Sequence, residues 1–325
     1  MKEKIKVGLI GAGYWGKNLL RNFYELGTLE TVCEKEDRIL AQRKKEYKEI
    51  RYTKEYKEIL GNKDIKGVVI ATPAVTHYDL ARQALEADKD VFVEKPLALM
   101  IEQGDELVQM ALKKDRILMV GHILQYHPAI LKLKEILDKG ELGDIHYIYS
   151  NRLNIGKLRN EENILWSFAP HDISVILMLV NKFPKEIKAI GGAYVQKDIY
   201  DVTLTNFIFH DNMRGHIFVS WLHPFKEQKL VIVGKKKMAV FDDTADKKLL
   251  LYPHRIEWEN KVPVARKAQA EEVSIEASEP LKNECKAFLQ SIQTRKPPRT
   301  DGREGLQVLQ FLKLAEKSMK EKVAL

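Results

Sequence analysis

Short apolar runs alternate with longer amphipathic segments through the first third of the chain. Ile5–Ile10 reads as a strand, and Trp15–Leu26 as a helix with Leu19, Leu20 and Phe23 on one face. Leu29–Cys33 and Val68–Ala71 are further strands, followed by a helix at Thr76–Ala87, a strand at Val91–Val93, a helix at Glu102–Lys114 and a strand at Ile117–Val120. Strands separated by helices at this pitch build βαβ units, and runs that are apolar without alternation suit a parallel sheet buried on both faces. After Gly121 the pattern changes. Pro128–Lys139 and 170–180 read as helices and His146–Asn154 as a strand. Six segments then have strand character: Ile187–Val195, Val202–Phe209, His216–Leu222, Lys229–Val233, Met238–Phe241 and Leu249–Tyr252. Turn signals at Asp211-Asn212 and Gly234-Lys235 make hairpins, hence a large open sheet that is mainly antiparallel. Residues 257–278 read as a loop or irregular strand, and two amphipathic helices, 280–295 and 302–322, end the chain. The fold class is α/β: a doubly wound Rossmann domain over residues 1–121, then an α+β domain over 122–325 for substrate binding and oligomerisation.

Composition narrows the function. A chain of 325 residues with 45% hydrophobic and 31% charged residues is that of a water-soluble globular protein with two domains. Its net charge of +8 favours an anionic partner: nucleic acid, a membrane surface or a phosphorylated small molecule. Nucleic acid is disfavoured by the lack of a helix-turn-helix pattern, zinc spacing or basic–aromatic interleaving. Cys33 and Cys285 are the only cysteines. They give no disulfide framework and no metal site, and they suit the reducing cytoplasm. The N-terminus makes a poor signal peptide, and the apolar run around Ile176–Val180 is far short of the ~20 residues that a bilayer needs.

Gly11-Ala-Gly13-Tyr14-Trp15-Gly16 follows a strand and opens a helix, the context in which G-x-G-x-x-G marks a dinucleotide site. Gly11 permits the sharp turn, Gly13 the approach of a pyrophosphate, and Gly16 close helix–strand packing. Glu34 ends the second strand, where an acid accepts hydrogen bonds from ribose hydroxyls and repels a 2′-phosphate. NAD is therefore favoured over NADP, with Lys35 and Arg38 keeping NADP as the lesser alternative.

Two other stretches follow strands: Ala71-Thr72-Pro73-Ala-Val-Thr-His77, and Val93-Glu94-Lys95-Pro96. With the glycine motif they resemble the Gfo/Idh/MocA family of NAD(P)-dependent sugar oxidoreductases, and the resemblance extends to Glu279-Pro-Leu and Pro298-Arg-Thr-Asp-Gly-Arg-Glu-Gly305. It implies that Lys95 is catalytic and, with Tyr14, Trp15, Thr72, Pro73, His77 and Glu94, lines the cofactor site. It also implies that His171 is the general base, with Ser167 standing where many relatives carry aspartate. A serine can hydrogen-bond an imidazole but cannot balance its charge. His171 stands at the positive end of the helix read over residues 170–180, which favours the neutral ring that a base requires. Asp172 points away from the side of the helix that His171 occupies.

Residues 149–154, 166–174 and 220–228 resemble a branch of the family that oxidises the sugar 3-hydroxyl of UDP-N-acetylglucosamine or its uronate. There a partner aminotransferase acts next, in making lipid A or surface-polysaccharide precursors. By that resemblance Lys95, Tyr126, His127, Arg152, Asn154, Lys157, Trp166, Ser167, His171 and Lys226 contact substrate. Arg152, Lys157, Arg159 and Lys226 are the candidate diphosphate contacts. Free sugars or inositols are the alternative substrates, and a non-catalytic NAD-binding sensor is the reading from another class. A broad open sheet face also favours a homo-oligomer, dimer or tetramer.

Overall fold

The computed structural model describes residues 4–156 and 158–321. The chain forms two compact units: Met1–Tyr126 with Ser278–Leu309, and His127–Ala277 with Gln310–Leu325.

The first unit is a Rossmann fold. Its strands are β1 (Lys6–Ile10), β2 (Leu29–Cys33), β3 (Arg51–Thr53), β4 (Ile65–Ile70), β5 (Asp90–Glu94) and β6 (Leu118–Gly121). They form one sheet in the order β3-β2-β1-β4-β5-β6, every pair parallel. Helices α1 (Gly16–Glu25), α2 (Asp37–Glu46), α3 (Tyr56–Gly61), α4 (His77–Glu86) and α5 (Ile101–Lys113) make the crossovers. The strand order reverses between β1 and β4, so the ends of those strands form the crevice where such sheets bind ligands. Successive strand residues serve opposite faces. Val7, Leu9, Val69 and Phe92 pack in one apolar cluster with Leu19, Leu20 and Phe23, while Ile10, Val68, Ile70, Val91 and Val93 pack in another with Ala81, Leu85 and Leu107. The elements α2, β3 and α3 carry few apolar residues, which hid them in the sequence. Only Leu40 and Arg43 of α2 are buried, and β3 is a three-residue edge strand.

The second unit begins with α6 (Pro128–Asp138), β7 (Ile145–Leu153) and α7 (Ile164–Val180). The strands β8 (Glu186–Gly192), β9 (Val202–Ile208), β10 (Arg214–Ser220), β11 (Glu227–Gly234), β12 (Met238–Asp242) and β13 (Leu249–Tyr252) follow. After them come β14 (Arg255–Glu259), β15 (Val262–Arg266) and the two-residue β16 (Glu271–Glu272). Eight of these strands form a sheet in the order β16-β13-β12-β11-β7-β10-β9-β8. It is antiparallel except for β7 with β10, which pair in parallel from Tyr147↔Arg214 to Leu153↔Ser220. The stretch expected to be a loop or irregular strand holds most of the β14–β15 hairpin, turning at Asn260 and Lys261 in left-handed conformation. Its polar, charged sequence left loop and strand undivided. Arg266 ion-pairs across the hairpin with Glu257 at 2.9 Å and with Glu259.

Two further expectations are corrected. The α7 helix begins at Ile164, not at residue 170: the Asn163 side chain caps it by accepting the Trp166 N–H at 3.3 Å, and Pro170 lies inside it. Proline lacks an N–H and breaks one helical hydrogen bond, which is why it reads as a helix start. The region after 121 is also not one domain. The helix α8 (Pro280–Thr294) returns to the first unit, where Phe288 meets Phe23 and Phe92 at ring-centroid distances of 6.5 and 5.7 Å. A parallel sheet needs apolar cover on both faces, and Leu281, Cys285, Phe288 and Ile292 of α8 supply it on one. The last helix, α9 (Gly302–Lys320), runs from the first unit's residues into the second's. Among the described residues no helix is long and apolar enough to cross a membrane.

Candidate active site

In the first unit, the end of β1 turns through Gly11 at φ +92°, and a Cβ there would stand 2.6 Å from the Ala71 carbonyl oxygen. A Cβ on Gly16 would stand 2.2 Å from the Gly11 oxygen, so both positions require glycine. At Gly13 a Cβ would meet nothing within 4 Å. The loop is thus tight against the sheet and open at its middle glycine. No side chain caps the start of α1; the Lys17 and Asn18 N–H groups turn to the Gly13 and Trp15 carbonyls at 3.1 and 2.9 Å, and the positive end of the helix dipole faces the loop, where it favours an anion. These features fit a dinucleotide pyrophosphate. Tyr14 is 80% exposed, with the Lys17 ammonium 5.6 Å from its ring centre.

Glu34, at the end of β2, accepts the Ala12 N–H at 2.8 Å and the Glu36 N–H at 3.0 Å. Ionised, it has further lone pairs for ribose hydroxyls. Arg43 of α2 donates to the Ala12 carbonyl at 3.2 Å, steadying the same loop. After β4, Thr72 Oγ1 lies 2.7 Å from Thr76 Oγ1, and Pro73 is exposed. His77 is buried at the start of α4, with Nδ1 2.8 Å from the Pro96 carbonyl and Nε2 2.9 Å from that of Thr72. It staples together the loops that follow β4 and β5.

The loop after β5 carries Lys95, half-buried, with a cis Lys95-Pro96 peptide. Glu94 is buried: Oε1 accepts the Trp15 indole N–H at 2.5 Å and Oε2 the Lys95 N–H at 3.3 Å. Burial pushes its carboxyl up to about 7. Tyr126, expected against substrate, is buried in the core with its hydroxyl 3.0 Å from Thr300 Oγ1, and burial raises its pKa. Sequence pattern alone does not single out His122, whose Nδ1 lies 2.6 Å from Glu304, or Glu284, which is wholly buried. A histidine after a strand end gave a faint signal, whereas a glutamate inside an amphipathic helix gave none.

In the second unit, His171 is half-buried on α7, seven residues past the helix start. Since dipole effects fade within the first turn, the helix end does not set its protonation. Ser167 is buried one turn before it, and its N–H continues the helix to the Asn163 carbonyl. Asp172 turns to the sheet. It forms a two-pronged ion pair with Arg152, at 2.7 Å to Nε and 3.2 Å to Nη2, and accepts from Ser150 at 2.5 Å. Arg152 is therefore a buried structural partner, not the diphosphate contact expected of it. His127 is likewise structural: its Nδ1 caps α6 by accepting the Ala129 N–H at 3.1 Å, its ring meets Phe241 edge-on, and burial lowers its pKa. Arg159 pairs with Glu162 at 2.7 Å. Trp166 is buried, with the Lys313 ammonium 5.0 Å from its ring centre. Asn154 is half-buried, Lys226 is exposed, and Lys157 lies outside the described residues. No group of side chains able to hold a metal occurs among the described residues.

Comparison with known proteins agrees with this geometry. The family profile described as oxidoreductase family, NAD-binding Rossmann fold, matches residues 5–122, and that of the GFO/IDH/MocA C-terminal domain matches residues 130–240. UDP-N-acetylglucosamine 3-dehydrogenase of Acidithiobacillus ferrooxidans is 26% identical over 307 residues, which is 94% of each chain. Its solved structure superposes with a TM-score of 0.85, covering 98% of this chain and all of the other at 24% identity. Myo-inositol 2-dehydrogenase of Thermotoga maritima is 22% identical over 332 residues, covering 98% of this chain and 97% of its own. The chain belongs to the Gfo/Idh/MocA family and is an NAD(P)-dependent dehydrogenase.

Proposed function

We propose that the protein oxidises the 3-hydroxyl of a UDP-N-acetyl-hexosamine, UDP-N-acetylglucosamine or its uronate, to the 3-keto sugar with NAD. The observation that carries the substrate is similarity to a UDP-N-acetylglucosamine 3-dehydrogenase over 94% of both chains. NAD rather than NADP is supported by Glu34, whose carboxylate is fixed across the glycine loop where a 2′-phosphate would meet its charge.

Gly11, Gly13, Gly16 and the start of α1 hold the pyrophosphate, and Glu34 takes ribose hydroxyls. Bound nicotinamide supplies the hydride acceptor. Lys95 binds the reacting hydroxyl and, as a cation, stabilises alkoxide character on its oxygen. His171 takes the hydroxyl proton at a ring nitrogen. The ketone is then a substrate for transamination, so an aminotransferase is the next enzyme, for lipid A or surface-polysaccharide precursors. A second copy of the chain covers the open sheet face of the second unit.

The test is to incubate purified protein with UDP-N-acetylglucosamine or its uronate and NAD and follow reduced nicotinamide. A parallel reaction contains an aminotransferase and glutamate to draw off ketone. Reduction in either format supports the reading, and none in both sinks it. The similarity to myo-inositol 2-dehydrogenase favours a second reading, oxidation of free cyclitols or sugars. Turnover of myo-inositol or free N-acetylglucosamine above that of the nucleotide sugars would establish it.

A further inference from the structure

Behind the lysine loop, the first unit encloses a set of carboxyl groups that the reaction above leaves without a task. Glu94 holds two N–H donors from different loops, the Trp15 indole at the start of α1 and the Lys95 main chain. Gly121 makes room for it, since a Cβ there would stand 2.9 Å from Glu94 Oε2. The charged and titratable groups that act on Glu94 are Lys95 in its own loop, His122 after β6, and Glu284 and the buried Cys285 thiol on α8. Glu304 on α9 also faces Glu284, and it holds His122 at 2.6 Å and Gln125 at 2.9 Å. Both oxygens of Glu284 are buried without a hydrogen-bond partner.

Two carboxyls that repel each other in a dry interior favour a single negative charge between them. The donors decide where it resides. Glu94 has two N–H groups and the nearby Lys95 ammonium, whereas Glu284 has no donor at all. Burial accordingly lifts Glu284 well above the usual carboxylate range, and Glu94 only to about 7.

We propose that Glu94 is an ionisable positioning residue: as a carboxylate it ties Trp15 to the Lys95 main chain, so that the glycine loop and the lysine loop are held as one piece. Taking up a proton loosens the tie, because a neutral acid is a weaker acceptor than a carboxylate. Glu284 remains a neutral acid and confines the charge to Glu94. This inference rests on the glycine loop being the dinucleotide site, but its main readout needs neither substrate nor turnover.

The protein is labelled with 5-fluorotryptophan, giving one resonance for each of four tryptophans, and the Trp15 signal is identified by its loss in Trp15→Phe. In the wild type that signal should titrate with a midpoint of about 7. It should be flat in Glu94→Gln and still titrate in Glu284→Gln. Affinity for reduced dinucleotide should fall about three- to tenfold in both Glu94→Gln and Trp15→Phe, and no further in the double variant, because the residues act as one unit. A wild-type Trp15 signal that stays flat from about pH 5.5 to 8.5 overturns the proposal whether or not the variants fold. So does a titration that survives Glu94→Gln, one that vanishes in Glu284→Gln, or full additivity in the double variant. Failure of the sugar assays alone would leave this result standing.

Discussion

Lys95 and His171 have separate tasks in the proposed reaction, and their substitutions should show it. Lys95→Met removes the cation beside the developing alkoxide, and His171→Ala removes the proton acceptor. Each should lower kcat by roughly 10²–10⁴-fold. Dinucleotide affinity, measured by fluorescence titration, should stay within about threefold, since neither residue belongs to the glycine loop. Unchanged kcat in both variants would remove the assignment. The Arg152–Asp172 pair behaves differently. Both side chains are buried, and removing one partner strands the charge of the other. Arg152→Met should therefore cost about 3–5 kcal/mol in urea unfolding, and a diphosphate contact would not show such a loss. The sequence exposed Arg152 as a basic residue, but the burial that makes it structural comes from a helix 20 residues away in the chain.

At the scale of elements, the strand–turn–helix at Gly11–Gly16 was legible because its requirement is local. The tightest clash for a Cβ on Gly16 is with the Gly11 carbonyl, inside the same turn. Gly16→Ala should thus weaken dinucleotide binding at least about tenfold, and titration of reduced dinucleotide would read the loss. The start of α7 was less legible. Pro170 reads as a boundary, yet the burial of Ile164, Leu165 and Trp166 carries the helix across it, which moves His171 away from the positive end. The α2–β3–α3 stretch was illegible because an edge position needs little apolar sequence. For α8 the amphipathic pattern was plain and its destination was not. Phe288→Ala should destabilise the first unit by about 3–5 kcal/mol, seen as earlier loss of dinucleotide binding on urea titration.

At the scale of the whole molecule, the buried acids tie stability to pH. The Glu284 carboxyl is raised in the folded state above its ordinary 4.5. Its contribution is therefore fully present below about pH 4.5 and is progressively lost as pH rises toward the folded value, because the unfolded chain releases the proton first. Glu284→Gln, neutral at every pH, should be more stable than the wild type at pH 8 and gain less at pH 5. A gain in urea midpoint that is equal at both pH values would contradict this. Such a cost, carried close to the lysine loop, is the common pattern in which function is served at the expense of stability.

By itself the sequence determined what depends on near neighbours: the doubly wound first domain, the mainly antiparallel second sheet, the glycine loop with Glu34, and the family to which Lys95 and His171 belong. Strand periodicity and turn chemistry act over a few residues, so one chain is enough to read them. Only the tertiary structure decided which polar groups are spent inside the protein. Arg152 goes to Asp172, Tyr126 to Thr300 and His127 to the cap of α6, while Glu94 goes to Trp15. It also sent residues 278–309 back to the first unit. Those outcomes rest on burial and on partners far apart in the chain, and an unpaired polar group in a dry interior costs enough that its partner, once folding brings the two together, fixes its role.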